Sequence, residues 1–177
     1  MAINGLNHAV LYVRDADRTA TFFEDVLGFR RLTAYEFPGG VFLRAEGSTN
    51  DHDLGLFSVG DAAAASPAGR NAVGLYHLGW EVDTLGDLAR FSKGLAAAGA
   101  LVGATDHGTT RAVYGKDPDG LEFELTWIVP AARLTADDAP AIARPLDLTR
   151  DIERFGADTV GGVGISRPGP SPIGTSG

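Results

Sequence analysis

The feature that most constrains this sequence is an internal repeat. The segment LNHAVLYV, residues 6–13, aligns with LYHLGWEV, residues 75–82, and the alignment pairs His8 with His77. In each copy the pattern predicts a strand, a helix and then three more strands, which is a βαβββ unit. One such unit cannot cover its own sheet, so the repeat predicts two units that fold together.

Hydrophobic periodicity and helix-capping signals predict the individual elements. The predicted strands are 5–13, 29–36, 40–46, 53–59, 75–82, 100–104, 110–116 and 121–128. A first helix is predicted over 16–27, with Gly28 as its C-cap. A second helix is predicted to begin at the capping-box pair Thr84 and Asp87 and to end near residue 98.

The chain therefore divides into five predicted segments. The fold class is α+β, with two tandem βαβββ modules forming a curled mixed sheet around a metal cavity. A C-terminal extension with a short helix, predicted from LDLTRDIERFG, follows the modules and precedes a flexible tail. The segments are 1–60 (first module), 61–74 (linker), 75–128 (second module), 129–160 (extension) and 161–177 (tail).

Composition excludes several classes of function. The chain has no cysteine, so disulfides and thiolate chemistry are excluded and any metal must be held by nitrogen and oxygen. The formal charge of -8 and the absence of a basic stripe argue against a nucleic-acid partner. No apolar run approaches the roughly 20 residues of a membrane span, and the N-terminus lacks a signal-peptide pattern. The expected location is the cytoplasm.

Polar residues of metal-binding type recur on one face of the predicted strands. Alternation along LEFEL places Glu122 and Glu124 on the face opposite Phe123 and Leu125. The same parity puts the repeated histidines opposite apolar side chains that suit helix packing. If these faces meet, two imidazoles and a carboxylate form a facial triad, which leaves positions open on a non-haem Fe(II). A lone strand histidine, or a solvent-facing glutamate such as Glu122, remains the simpler interpretation of each residue by itself.

With these residues in view, the chain resembles the vicinal oxygen chelate superfamily, which includes glyoxalases, bleomycin resistance proteins and dioxygenases. The resemblance covers residues 5 to 128 and is strongest to the type I extradiol ring-cleaving dioxygenases. Its most specific motif is TDHGTTRAVYGKDPDGLEFE, residues 105–124. The segment RPLDL in the extension adds some likeness. Many extradiol enzymes have four βαβββ modules, so this chain would be a compact one-domain form.

The resemblance implies roles for six residues. His8, His77 and Glu124 would hold the metal, with Glu124 preferred to Glu122 because of its spacing from Tyr114. His52 would be the acid–base residue, and His107 and Tyr114 would contact substrate oxygens, so these three are the implied catalytic and substrate-binding residues. Fe(II) is the implied metal, and Mn(II) suits the same ligands. The implied partners are a catechol-type substrate and O₂, with no nucleic acid or membrane and with a homo-oligomeric assembly.

Alternative functions within the superfamily remain open at this point. The repeat pairs Glu124 with Leu54, so a fourth ligand of the glyoxalase type is missing. Fosfomycin-type enzymes also use three ligands, but they give no reason for the set of His52, His107 and Tyr114. A drug- or aromatic-binding module would retain the histidines only as remnants. Taken singly, His52 also reads as a residue at the start of a strand, His107 as a solvated loop residue and Tyr114 as core.

Overall fold

The structure is a computed structural model that describes residues 3, 5–35, 37–69, 71–138 and 143–162. The predicted flexible tail therefore lies outside the described residues, apart from its first two positions. The chain forms two compact units, Met1–His77 with Lys116–Glu122, and Leu78–Gly115 with Phe123–Gly177. The five-segment domain division stays a prediction. No helix within the described residues has the length and apolar character that a membrane crossing requires.

The first module contains a four-stranded mixed sheet with the order β1-β4-β3-β2. β1 and β4 are parallel, while β3 is antiparallel to both β4 and β2. A 3-10 helix at Thr33–Tyr35 follows β2. The elements are β1 (Ala9–Val13), α1 (Ala16–Leu27), β2 (Arg30–Arg31), β3 (Gly40–Arg44) and β4 (Leu54–Ser58).

The helix α1 begins and ends where its sequence predicts. The Asp15 carboxylate accepts hydrogen bonds from the Asp17 and Arg18 N–H groups, which satisfies two of the donors left unpaired at the helix start. Gly28 ends the helix in a left-handed conformation, φ 72°, that glycine adopts without strain. Its buried stripe, at helical spacing, consists of Ala16, Thr19, Ala20, Phe23 and Leu27.

The second sheet repeats the order of the first and adds one strand from the extension. Its order is β5-β8-β7-β6-β9. The predicted capping box of α2 is present, because the Thr84 side chain and the Asp87 carboxylate each accept from the other's backbone N–H. The elements are β5 (His77–Glu81), α2 (Leu85–Ala97), β6 (Leu101–Asp106), β7 (Thr110–Lys116), β8 (Glu122–Ile128) and β9 (Arg144–Pro145).

The C-terminal extension packs within the second unit, against β8. It contains 3-10 helices at Ala131–Arg133 and Ala136–Asp138, the edge strand β9, and the helix α3 (Leu148–Phe155), which lies within the predicted short helix. Phe155 is 3% exposed and its ring lies 5.4 Å from that of Trp127. The Trp127 indole N–H donates to the Thr159 carbonyl at 3.1 Å. The extension thus completes the apolar core behind β8.

The α+β class and the two tandem βαβββ modules are confirmed, with a separate mixed sheet for each module. Strand parity in β8 is also as predicted: Phe123, Leu125 and Trp127 are buried, while Glu122 and Glu124 are half-buried on the opposite face. The predicted strand at 29–36 is wrong in length. The chain leaves β2 after Arg31, because the Tyr35 N–H donates to the Leu32 carbonyl and closes a 3-10 turn.

Candidate active site

His8 lies one residue before β1 and is exposed. Its Nδ1–H donates to the Asn7 side-chain oxygen at 2.7 Å. An amide oxygen only accepts, so Nδ1 carries the hydrogen of this bond, and Nε2 is the nitrogen left to bind a metal. A metal-binding histidine usually holds its second ring nitrogen in such a bond. The surroundings of His8 therefore suit a metal ligand that binds through Nε2.

His52 lies beside His8 because β1 and β4 run parallel. Ala9 is paired with Leu54, and the Ala9 N–H donates to the Asp53 carbonyl at 3.0 Å. This register brings the two imidazole centroids within 4.5 Å, although 43 residues separate them in the chain (52 − 8 − 1). The pairing of β1 with β4 therefore gathers two of the sequence-predicted site residues.

The His52 imidazole is held at one nitrogen and open at the other. Its Nδ1 lies 3.2 Å from a carboxylate oxygen of Asp51, and its side chain is 16% exposed. The hydrogen bond from His52 lowers the pKa of the Asp51 carboxyl. No hydrogen-bond partner of His52 Nε2 lies among the residues described. One nitrogen is thus oriented by a carboxylate, as a proton-transfer residue requires.

Aromatic side chains surround His52 on the same sheet. The Phe42 ring meets the imidazole edge-on at 5.0 Å, and the Tyr35 ring lies 6.4 Å away. Phe42 also lies 6.0 Å from Phe57, and Gly55 keeps the space between them clear because a Cβ there would lie 3.2 Å from the Phe42 ring. We call Tyr35, Phe37, Phe42 and Phe57 the aromatic cluster.

The loop before His52 is fixed by a buried carboxylate that the sequence analysis did not single out. Asp53 is 7% exposed and accepts from the Ala45 N–H, the Ser48 hydroxyl and the Asn50 amide at 2.7–2.8 Å. The Asn50 amide also donates to the Asn7 carbonyl at 2.8 Å. The polar run STNDHD was the available signal, because such residues bind their own backbone in turns.

His77 is the first residue of β5 and is half-buried. Its ring lies 4.7 Å from that of Tyr76. Gly79, two residues along the strand, leaves room for a carboxylate, since a Cβ at that position would lie 3.9 Å from Glu124 Oε2. Glu124 therefore lies over the β5 backbone at a residue without a side chain.

In the second unit, three sequence-predicted residues form one hydrogen-bonded series. His107 Nε2 lies 2.8 Å from the Tyr114 hydroxyl, and that hydroxyl lies 3.5 Å from Glu124 Oε1. All three side chains are half-buried, and Tyr114 and Glu124 lie on neighbouring strands, β7 and β8. We call His107, Tyr114 and Glu124 the His107 series. The Tyr114 hydroxyl can donate its hydrogen either to His107 Nε2 or to Glu124 Oε1. A change of charge at one of these two residues can therefore alter the hydrogen bond to the other.

Behind the His107 series lies a buried ionic cluster that the sequence analysis missed. Arg111 is fully buried and contacts Asp106 at 2.9 Å, Asp151 at 2.6 Å and Asp138 at 3.3 Å. We call these four residues the arginine network. An arginine in a strand normally predicts an exposed position, and its partners come from distant segments. Only the aspartates in TDHG and TADD gave any signal.

Rim arginines complete the charge balance of the network. Burial alone would raise the pKa of the Asp106 carboxyl, but hydrogen bonds from Arg144 and the Gly108 N–H hold it below its ordinary value. Burial would likewise raise the pKa of Asp138, but hydrogen bonds from Arg154 and Thr135 hold it far below that value. Both carboxylates are therefore charged at neutral pH.

The predicted metal ligands divide between the two units: His8 and His77 belong to the first and Glu124 to the second. Inside either unit, no group of three or more His, Asp or Glu side chains among the described residues is arranged to hold a metal ion. The donor chemistry nevertheless fits a divalent metal. His8 has one ring nitrogen bonded and the other available, and the Tyr114 hydroxyl donates to the Glu124 carboxylate, a kind of hydrogen bond that orients metal ligands in proteins.

The first module supplies no carboxylate at the position that corresponds to Glu124. The offset that pairs His8 with His77 pairs Glu124 with Gly55, which has no side chain. The predicted pairing with Leu54 is wrong, because Leu54 is 0% exposed on the core face of its sheet, whereas Glu124 lies on the face opposite the core.

Comparison with solved structures shows the fold. A glyoxylase/bleomycin resistance protein/dioxygenase domain from Frankia sp. EAN1pec has a TM-score of 0.57 and 21% identity over 71% of this chain and 92% of its own. Lactoylglutathione lyase from Agrobacterium tumefaciens gives 0.53 and 23%, over 71% and 95%. The fosfomycin resistance protein FosX from Listeria monocytogenes gives 0.53 and 20%, over 71% and 93%. No curated protein matches the sequence.

A family model extends this likeness to the sequence itself. The model for the Glyoxalase/Bleomycin resistance protein/Dioxygenase superfamily matches residues 5–125. The match includes both modules and all six predicted site residues. The chain belongs to the glyoxalase/bleomycin resistance protein/dioxygenase superfamily.

Proposed function

We propose that this protein is an extradiol dioxygenase that cleaves a catechol-type diol with O₂. The observation that supports this most is the His107 series, with its distances of 2.8 and 3.5 Å. It joins the proposed carboxylate ligand to two residues that would contact substrate oxygens. Such a series can donate or accept hydrogen bonds as the substrate beside the metal loses and regains protons.

His8, His77 and Glu124 are the proposed metal ligands, and Fe(II) is the proposed metal. Two imidazoles and one carboxylate leave coordination positions open for a diol and for O₂. When bound, the metal supplies positive charge that favours loss of the diol protons, and it brings the two reactants together. Mn(II) suits the same ligands. The remaining roles belong to groups of the protein.

His52 is the proposed general base and acid. Its Nε2 accepts a proton from a diol hydroxyl and returns a proton as the ring opens. Asp51 accepts from Nδ1–H at 3.2 Å, which fixes the tautomer and stabilises the imidazolium that forms.

Tyr114 and His107 hold the oxygen atoms of the substrate. The Tyr114 hydroxyl donates to a diol or product oxygen, and His107 Nε2, 2.8 Å away, donates to or accepts from that hydroxyl as the charge changes. The overall reaction balances without a further reductant. The ring C–C bond beside the diol breaks, both atoms of O₂ enter the product, and the catechol supplies the electrons.

The aromatic cluster favours an aromatic substrate over a small aliphatic one. Tyr35 and Phe42 present ring faces and edges within 6.4 Å of His52, which is the contact geometry that a planar catechol ring would use. Tyr35 is 48% exposed, so a ring entering from solvent would find it accessible.

A metal-dependent lyase, as the likeness to lactoylglutathione lyase suggests, is the second candidate. It would bind a divalent metal without consuming O₂. The first module disfavours this candidate, because Gly55 stands at the repeat position of Glu124 and supplies no carboxylate for a four-ligand site of the glyoxalase type. A fosfomycin-resistance enzyme, or a binding module without chemistry, would leave the His107 series without a role.

The test is O₂ uptake by protein loaded anaerobically with Fe(II), measured against a panel of catechols that includes 2,3-dihydroxybiphenyl. We expect uptake together with a yellow ring-opened product, and loss of both in His8→Ala and Glu124→Ala. Metal binding without O₂ uptake on any catechol would favour the lyase. Failure to bind any divalent metal would contradict the proposed ligand set.

A further inference from the structure

We propose that Arg111 is a positioning residue for His107, and that the C-terminal extension acts on the site through it. The inference rests on the proposed function only for its consequence in turnover, because its geometric part concerns His107 in the protein alone. The arginine network would hold the loop that presents His107 to Tyr114. Residues 129–160 would then support the site rather than merely cover the sheet.

The first step is the contact between Arg111 and the loop itself. Arg111 Nη1 donates to the Gly108 carbonyl at 2.6 Å and pairs with Asp106 at 2.9 Å. Asp106 in turn accepts from the Gly108 N–H at 2.8 Å. Asp106 and Gly108, the residues on either side of His107, are therefore both bound to the buried Arg111 guanidinium, and they are also bound to each other. Gly108 has φ +80°, a conformation that side-chain-bearing residues rarely adopt.

The second step is the link from Arg111 to the extension. Its Nε donates to Asp151 in α3 at 2.6 Å, and its Nη2 donates to Asp138 at 3.3 Å. The Phe155 ring lies 5.4 Å from the guanidinium carbon. From the extension, Arg144 donates to Asp106 at 2.7 Å. The extension thus contacts both ends of the Arg111–Asp106 pair.

The third step is the position of the network relative to the series. Arg111 and Tyr114 both lie on β7, where the alternation of strand side chains places them on opposite faces. His107 lies in the short loop between β6 and β7, with its N–H donating to the Thr110 carbonyl at 2.9 Å. A shift of this loop changes the 2.8 Å separation between His107 Nε2 and the Tyr114 hydroxyl.

The chemistry of the network also points to positioning. A buried ionic cluster generally stabilises a fold no better than apolar side chains of the same volume. Its guanidinium fork instead fixes partners in defined directions, because each N–H needs an acceptor. This cluster meets that need with two loop groups, Asp106 and the Gly108 carbonyl, and two extension carboxylates, Asp138 and Asp151.

The test uses the four histidines of the chain, which give few side-chain signals. The protein is labelled with ¹⁵N in its imidazoles, and the His107 signals are assigned by their loss in His107→Asn. Tyr114→Phe defines the shift that follows loss of the hydroxyl partner. We expect Asp151→Asn and Arg144→Gln to move the His107 Nε2 signal in that direction, while the His8 and His52 signals stay unchanged.

Controls separate positioning from stability. Arg144 is 41% exposed at its side chain, so Arg144→Gln folds even if Asp151→Asn does not. Arg90→Gln is the matched control, because Arg90 pairs with Asp87 on α2 and has no contact with the network. In turnover, we expect a fall in kcat of about 10-fold for Asp151→Asn with little change in KM, since misplacement by fractions of an ångström slows chemistry.

Each outcome decides something. The positioning role would be overturned if Arg144→Gln and folded Asp151→Asn both give the His107 signals of the unmutated protein while their melting temperatures fall. A shifted His107 signal in a protein that cleaves no catechol would sustain the positioning role and refute the proposed function. Catechol cleavage at an unchanged kcat in both variants would support the proposed function and refute the positioning role.

Discussion

His52 in the first unit and His107 in the second are both half-buried imidazoles, yet different interactions hold them in place. His52 lies among aromatic rings, and Asp51, the carboxylate that its Nδ1 contacts, is 60% exposed at the side chain. His107 lies in a loop bound to a guanidinium that is 0% exposed. The first arrangement leaves one ring nitrogen of His52 without a partner among the described residues, and the second fixes where the His107 ring lies. This difference suits proton transfer at His52 and orientation at His107.

The largest expected effect separates the two glutamates of β8. Glu124→Ala should abolish Fe(II) binding and lower turnover by more than about 100-fold. Loss of a residue that only hydrogen-bonds to a metal ligand already costs up to about 100-fold, and loss of the ligand itself should cost more. Glu122→Ala is the matched control on the same strand face, where Glu122 pairs with Lys116 at 3.3 Å, and it should retain both properties. Metal titration and O₂ uptake measure the pair. Equal losses in the two variants would remove Glu124 from its proposed role.

The next effect concerns stability in the second unit. Arg111→Met leaves three buried carboxylates without their shared cation, and removal of one member of a buried ionic cluster costs about 3–5 kcal/mol in free energy of unfolding. Urea denaturation followed by tryptophan fluorescence measures it. Both tryptophans, Trp80 and Trp127, belong to the second unit, so the signal reports on that unit. A loss below about 1 kcal/mol would mean that water reaches the network.

The acid dependence of stability should also distinguish the units. The pKa values of Asp106 and Asp138 lie below their ordinary value in the folded protein, so these carboxylates bind protons more weakly than in the unfolded chain. Their stabilisation is complete above the unfolded pKa of about 3.9 and is lost as pH falls through the folded pKa. Tryptophan fluorescence should show the second unit losing stability below about pH 4. Asp138→Asn should flatten this acid limb.

In the first unit, Asp117 should contribute with the opposite sign. Burial raises the pKa of this carboxyl, against hydrogen bonds from the Leu121 and Asp119 N–H groups. The folded state therefore binds the proton more tightly than the unfolded chain. Its contribution is present below the unfolded pKa and is lost as pH rises through the raised folded pKa. Asp117 should thus oppose acid lability in the first unit, where the lowered pKa of the exposed Asp51 acts in the other direction.

How far the sequence predicts this molecule depends on the range of the interactions. Local signals were sufficient for the capping box at Thr84, the C-cap at Gly28 and the parity of β8. The repeat predicted that both modules share one topology, and the orders β1-β4-β3-β2 and β5-β8-β7-β6 are indeed the same. These features depend on residues close in sequence or on one periodic pattern.

The remaining features depend on partners that only the folded chain brings together. Arg111 meets Asp151 across 40 positions, and nothing in the local pattern of β7 distinguishes a buried arginine from an exposed one. The aromatic cluster around His52 follows from the register between β3 and β4, in which Phe42 is opposite Gly55. Strand alternation predicts a face but not a register, so the sequence alone could not bring Phe42 to His52.

The smallest expected effect tests whether Asp51 orients His52. Asp51→Asn removes the charge beside Nδ1 but keeps an oxygen that accepts a hydrogen bond. Because Asp51 is 60% exposed, solvent screens the pair, and we expect its loss to lower kcat/KM by roughly fivefold or less. The pH profile of kcat/KM is the measurement, and Asp25→Asn, an exposed carboxylate on α1, is the control. A loss far above fivefold would mean that Asp51 contacts substrate, while a profile identical to that of the control would mean that the ring packing of Phe42 and Tyr35 alone orients His52.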